Sequence, residues 1–354
     1  MRLRPTVPRR GRRLALAGSV VALAIVVLTG SPAAADPPGP TDYRSEVTDI
    51  TPEVDGITAS VVGGDGFLLL EVEPGTTVEV PGYTGEPYLR FGEDGTVEEN
   101  QASAATYLNE SRTRTEADRD YDPEAEPEWE EVATDGRWAW HDHRIHSMAG
   151  DLSGDTEVAH RRGVPWTVPL VVDGDEVTIS GSYRLLDAPS PLPWAALAIV
   201  LALALALGLG RVVPALPAAG ATVLVAGIGG IVAGMAQRGE SPPGAPTSPL
   251  VVILPAIAAV AGIIVLIQRG RVLRAVAALA GAAAAGGWAI VRLPVLWKAV
   301  LPTSLPAGTD RALTAVALGA AAGAAALVVR SGALAPDLGD PDGSSPAPEV
   351  AESA

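Results

Sequence analysis

The 354-residue chain has no cysteine and a single lysine, Lys298. Without cysteine there are no disulfides, thiolate metal sites or cysteine nucleophiles. An exported domain built this way has to rely on a packed core, and 155 residues (36–190) are enough to form one. Other signatures are missing as well. There is no Gly-rich phosphate loop, no GxSxG elbow, no serine–lysine signature and no HExxH spacing. His141 beside Asp142 invites thought of a triad, but nothing fixes a nucleophile, so no residue pattern points to an enzyme.

Positive charge is scarce in the first half. Residues 36–190 carry 34 acidic and ten basic side chains, a local excess of 24 negative charges that the basic side chains elsewhere reduce to the chain's net −16. Such a surface repels nucleic acid and attracts cations, which argues against DNA or RNA as a partner.

Charge nearly vanishes in the second half. The sequence predicts five membrane helices, at 194–210, 214–235, 249–267, 272–291 and 311–329, each near the ~20 residues a bilayer requires. Arg211, Arg269, Arg271, Arg274 and Arg330 fall on one side of these spans, and Trp194, Trp288 and Trp297 on the other. The positive-inside rule and the interfacial preference of indoles then place the C-terminus in the cytoplasm and residues 36–192 outside, in a multi-pass protein of the plasma membrane. Gly230 with Gly234 and Gly319 with Gly323 predict close helix approach. No acid, histidine or lysine lies inside the predicted spans, which weighs against an ion-coupled transporter.

The ends read as processing and tail segments. Six arginines in residues 2–13, the apolar run LALAGSVVALAIVVL and the small residues of SPAAAD make 1–35 a secretory signal, cut near Ala35; an uncleaved anchor is the alternative. Residues 331–354 are polar, acidic and proline-rich, the composition of a disordered cytoplasmic tail.

The exported part, 36–192, reads as short strands between turns. ITASVV (57–62), FLLLEV (67–72) and TTVEV (76–80) are predicted strands, and WTVPLVV (166–172) with EVTISGSYRLL (176–186) a hairpin around DGD. The expectation is an all-β, immunoglobulin-like sandwich followed by an all-α membrane domain (193–330). Residues 111–131, rich in charge and proline, form an acidic insertion whose spacing does not match an EF-hand calcium loop.

Two blocks carry a resemblance. GYTGEPYLRFGEDGTVEENQASAATYLN (82–109) contributes Gly82, Tyr83, Gly85, Glu86, Pro87, Tyr88, Leu89, Arg90, Asn100, Tyr107 and Asn109. WHDHRIHSM (140–148) contributes His141, Asp142, His143, Arg144, His146 and Met148. With them the chain resembles a family of uncharacterised actinobacterial membrane proteins that combine a signal peptide, an exported β domain and C-terminal spans. The arginine, alanine and glycine bias fits a GC-rich actinobacterial genome. Family members tend to place an aromatic residue where this chain has Ser147.

Three of the four histidines lie in WAWHDHRIHSM (138–148). In a continuous strand His141 and His143 share one face and His146 the other, so a three-histidine cluster requires a bend near Arg144 or Ile145. Imidazoles at this spacing, with Met148 or His160 assisting, suit copper; three histidines and an open position also suit zinc. The leading specific expectation is transition-metal binding by His141, His143, His146, Met148 and His160. The alternative is a metal-free envelope scaffold or interaction module, with GEPYLR and the acidic insertion as contact surfaces for other envelope proteins.

Overall fold

In the computed structural model, residues 38–112, 114, 120–148, 154–243, 245 and 248–335 are described. The signal segment, part of the acidic insertion and residues 336–354 of the tail lie outside them.

The first half folds as ten antiparallel strands: β1 (Tyr43–Thr51), β2 (Ile57–Val62), β3 (Phe67–Val72), β4 (Val78–Pro81), β5 (Pro87–Phe91), β6 (Val97–Asn100), β7 (Trp129–Ala133), β8 (Arg137–Trp140), β9 (Val164–Val172) and β10 (Asp175–Leu185). A seven-stranded sheet has the order β1-β10-β9-β4-β5-β6-β7, and a three-stranded sheet the order β2-β3-β8. Two short helices, α1 (Ala104–Leu108) and α2 (Gly154–Arg162), interrupt the strands.

Alternation builds the core. Trp166, Val168, Leu170 and Val172 of β9 point inward together with Val177 and Ile179 of β10, and meet Leu68 and Leu70 of β3 and Trp140 of β8. The two sheets therefore share one core. The uneven division into seven and three strands differs from the more even partition of an immunoglobulin constant-type domain. Proline cannot donate to a ladder. Pro165 and Pro169 of β9 are tolerated because β4 pairs only with Val171 and Val172 on that side.

β3 departs from alternation for a reason. Leu68 and Leu70 enter the main core, while Phe67 and Leu69, on the opposite face, pack with Ala139 and Ala245. Ala245 lies in a connection between two long helices, so FLLLEV is apolar on both faces because both are covered.

Five helices are long and apolar enough to cross a membrane. α3 (Leu192–Leu203) continues through a π-helical turn (Ala204–Leu209), followed by α4 (Ala215–Gly239), α5 (Leu250–Ile267), α6 (Arg271–Val291) and α7 (Ala307–Arg330). This fits a multi-pass membrane protein. Small residues do allow close approach: a Cβ at Gly234 would run into the Val251 carbonyl, one at Gly319 would lie 2.5 Å from the Ala198 carbonyl, and one at Gly323 2.6 Å from Leu205. Pro255, inside α5, leaves the Val251 carbonyl without its intrahelical donor. The Trp288 indole N–H fills the gap at 2.9 Å.

That bond corrects one expectation, since Trp288 is buried inside the bundle rather than lying at its lipid-facing surface. A second correction concerns charge. α7 starts at Ala307, four residues before the predicted boundary, so Asp310 belongs to the spanning helix. It is buried against Arg292, the residue that ends α6, at 2.5 Å. The sequence leaves Asp310 in the connection and starts the span at Arg311; the ion pair makes the acid compatible with a helix.

The β domain is fastened to the helical part. Thr41 and Val300 exchange two backbone hydrogen bonds of 3.0 and 2.8 Å. The Asp42 carboxylate accepts from Lys298 Nζ at 2.6 Å and from the Ala299 N–H at 3.0 Å. Arg311 donates to the carbonyls of Val295 and Lys298, tying the same α6–α7 connection to α7.

Candidate functional site

β8 ends at Trp140, and His141 to Met148 leave the sheet through a turn in which the Ile145 N–H bonds the Asp142 carbonyl at 3.1 Å. The bend comes earlier than the sequence suggested. Its cause is Asp142, whose buried carboxylate accepts four bonds: from the Trp140 indole (2.8 Å), the Arg144 backbone N–H (3.0 Å), and Arg144 Nε (2.8 Å) and Nη2 (2.6 Å). Burial pushes its pKa up, but Arg144 and Trp140 outweigh burial and hold it below the usual carboxylate value. Arg144 in turn lies over the Tyr83 ring, 5.2 Å from its centre.

The bend redistributes the histidines. His141 is buried, stacks on Phe67 with 3.9 Å between ring centres, and donates from Nδ1 to the Gly66 carbonyl at 2.5 Å. His143 is half-buried, stacks on Tyr83 and donates from Nε2 to the Ser111 carbonyl at 3.1 Å. His146 is buried beside His143, with ring centres 5.5 Å apart, and its Nδ1 bonds the Ser147 carbonyl at 3.2 Å. Its Nε2 is buried without a partner among the described residues. The pair brought together is thus His143 with His146, not His141 with His143.

The remaining expected ligands have other surroundings. Met148 is exposed. His160, on α2, is sandwiched between Tyr183, 5.3 Å between ring centres, and the edge of Tyr43. Among the described residues no group of three or more histidine, aspartate or glutamate side chains is placed to hold a metal ion.

Tyr83 and, through it, Asn109, both named above in the first block, are partners of the segment, and Asp65 and Arg112 add an ion pair that the sequence did not suggest. Tyr83 donates to Asn109 Oδ1 at 2.5 Å and accepts from the His143 backbone N–H at 3.0 Å. Asp65, fully buried, holds Arg112 in a two-pronged ion pair. The GEPYLR segment, expected as a contact surface, is partly interior: Glu86, Tyr88 and Leu89 are buried while Gly85 and Pro87 are exposed, and Glu86 takes hydrogen bonds from Ser103 and from Thr84. Gly82 is required there because a Cβ would collide with the Glu86 carboxylate.

The environment of His146 gives a pH prediction. Burial, then the nearby Arg112 charge, lower its pKa from 6.5 to about 4. An unfolded chain therefore binds a proton at this position between pH 6.5 and 4 that the folded chain refuses. The stabilising contribution is complete above pH 6.5 and is lost as pH falls through 4. Its size is about 3 kcal/mol. Denaturant midpoints of the full-length protein, followed by tryptophan fluorescence, should fall between pH 7 and pH 4.5, and His146→Gln should flatten much of that fall. An identical profile in the variant would assign the effect to other groups.

No family model matches the chain, and no curated protein or solved structure matches it either.

Proposed function

We propose that the protein is a multi-pass protein of the plasma membrane whose β domain faces out of the cell and docks another envelope protein, with residues 138–148 serving as an internal brace. This reading takes residues 1–35 as an export signal and the β domain as an immunoglobulin-like sandwich in general shape. Arg211, Arg269, Arg271, Arg274 and Arg330 lie at the helix ends away from the β domain, against Arg238, Arg292, Lys298 and Arg311 beside it, and this excess supports the orientation.

The observation that carries the docking role is the β6–β7 edge. β7 closes the seven-stranded sheet and has no further strand beyond it among the described residues. Its register sets Glu131 opposite Glu98 and Glu130 opposite Glu99. Like charges directly opposed disfavour a strand pair. Arg90 answers Glu98, while burial and the charge of Glu130 contribute to raising the pKa of Glu99. A basic, extended segment added to this edge would complete the ladder and relieve the repulsion.

The test is a photo-crosslinking residue at position 130 of the full-length protein in cells. A discrete crosslinked species that disappears when Glu98 and Glu131 are both changed to Gln is expected. No discrete species, or one indifferent to those changes, would remove the proposal.

Copper binding is the second reading, and the unpartnered Nε2 of His146 beside His143 favours it. Burial lowers the pKa of both rings, which keeps the imidazoles neutral, the form that ligates. Each of them gives a ring nitrogen to a backbone carbonyl, an arrangement that orients ligating histidines. Met148 would add a thioether suited to Cu(I). The full-length protein in nanodiscs should be titrated with Cu(II), Cu(I) and Zn(II), beside His141→Ala/His143→Ala and His143→Ala/His146→Ala. Stoichiometric binding lost in both variants would put this reading first; weak binding, equal in all three proteins, would end it.

A further inference from the structure

Below the β domain, a cavity of about 240 Å³ opens between α4, α5 and α6. Its floor and walls are apolar, with Leu254, Val251, Trp288 and Val295 among them. Val291 also lines it and is exposed on the outside of the helices, so the cavity reaches the surface that lipid would cover. Two arginines and no acid occur among its lining residues. Arg292 is 95% buried, the complement of its 5% exposure, and bonds Gln237 and Asp310 through its two terminal nitrogens. Its Nε is buried with no partner among the described residues. Arg238, in the last turn of α4, is exposed and forms no ion pair with a described residue. The uncapped N-terminus of α5, at Ser248 and Leu250, meets the same space and adds positive potential.

A buried donor without an acceptor is costly and calls for a partner. The Arg292 charge is met by Asp310, so its Nε asks only for an acceptor; Arg238 beside it, without an ion pair among the described residues, favours one that carries negative charge and tolerates an apolar wall. The volume lies below the ~300 Å³ at which pockets for whole drug-sized ligands begin, so it fits a head group and not a lipid. We propose that this cavity binds the phosphate of an anionic phospholipid from the leaflet on the β-domain side, with the acyl chains leaving past Val291. Arg292 supplies the buried donor and Arg238 the second charge. The inference rests on the membrane reading of the helices and is independent of what docks on β7.

Native mass spectrometry of the full-length protein in detergent tests it, with phosphatidylglycerol and phosphatidylcholine as probes and inorganic phosphate as competitor. Preferential retention of phosphatidylglycerol is expected, reduced about fivefold by Arg238→Gln, the effect of about 1 kcal/mol per interfacial arginine. Arg292→Gln/Asp310→Asn removes both buried charges together, so the fold keeps its balance while the head-group donor is lost; retention should again fall. Equal retention of the two lipids, or retention unchanged in both variants, would overturn the assignment. Displacement by inorganic phosphate alone would reassign the site to free phosphate. Carbonate-resistant membrane association of each variant separates a failed site from a failed membrane reading, and loss of that association in the parent protein would overturn both.

Discussion

Asp142→Ala is expected to destabilise the β domain by about 3–5 kcal/mol, because it strips a buried ion pair of one partner. The carboxylate is fully buried and takes four hydrogen bonds, so its removal leaves the Trp140 indole N–H without an acceptor and the Arg144 guanidinium without its counter-ion. Arg144 keeps 21% side-chain exposure, so water recovers part of its solvation and holds the loss toward the lower end. The turn that brings His143 to His146 hangs on the same carboxylate, so the variant should also expose the two rings. Thermal unfolding of the full-length protein should shift down by roughly 10 °C. Asp142→Ala/Arg144→Met should lose less than the sum of its single changes, since the second removes the charge that the first abandons. Additive losses would mean that the two side chains are not energetically coupled.

This network shows where reading the sequence succeeds and where it stops. β2 and β3 were legible to the residue, because Gly63 and Gly64, both at positive φ, punctuate two apolar runs. The β9–β10 hairpin was legible from alternation around Asp173 and Gly174. All five long helices were legible from length and hydropathy alone, with boundaries displaced by up to four residues. The partition of strands into two sheets was not, since it depends on contacts between segments such as β3 and β8, about 70 residues apart.

The histidine segment was legible only in part. Residues 138–148 alternate well enough to continue as a strand. What ends β8 is the side chain of Asp142 folding back onto its own neighbours, a local competition that periodicity does not register. The partners that occupy the rings, Gly66, Tyr83 and Ser111, come from three other places in the chain. A run of histidines therefore announced a dense polar site without disclosing which nitrogens were already engaged. Asp310 was hidden for the opposite reason. A charged residue beside an apolar run reads as the run's end, and only the partner, 18 residues earlier at Arg292, shows that the helix extends past it.

That buried pair carries the second large effect. Arg292→Leu leaves the Asp310 carboxylate, 1% exposed, without its counter-ion at the level where α6 and α7 meet the β domain. The expected loss is about 3–5 kcal/mol. It should exceed that of Arg238→Gln, which removes only an exposed charge. The consequences extend beyond the pair. Arg292 also bonds Gln237 of α4 and lies over Trp288, whose indole holds the Val251 carbonyl that Pro255 leaves free. On the other side, Asp310 is followed by Arg311, which grips the α6–α7 connection that reaches Thr41 and Asp42. Loss of the pair should therefore loosen the seat of the β domain together with the helices, and limited proteolysis should newly cut residues 292–306. Arg292→Leu/Asp310→Leu discriminates between explanations. If the single variant fails because a charge is stranded, the double variant should recover most of the stability, since apolar replacements of buried ion pairs are often neutral or stabilising. Recovery of stability without recovery of protease resistance in the connection would separate the two roles: the pair would then be dispensable for helix packing and required for holding the β domain in place.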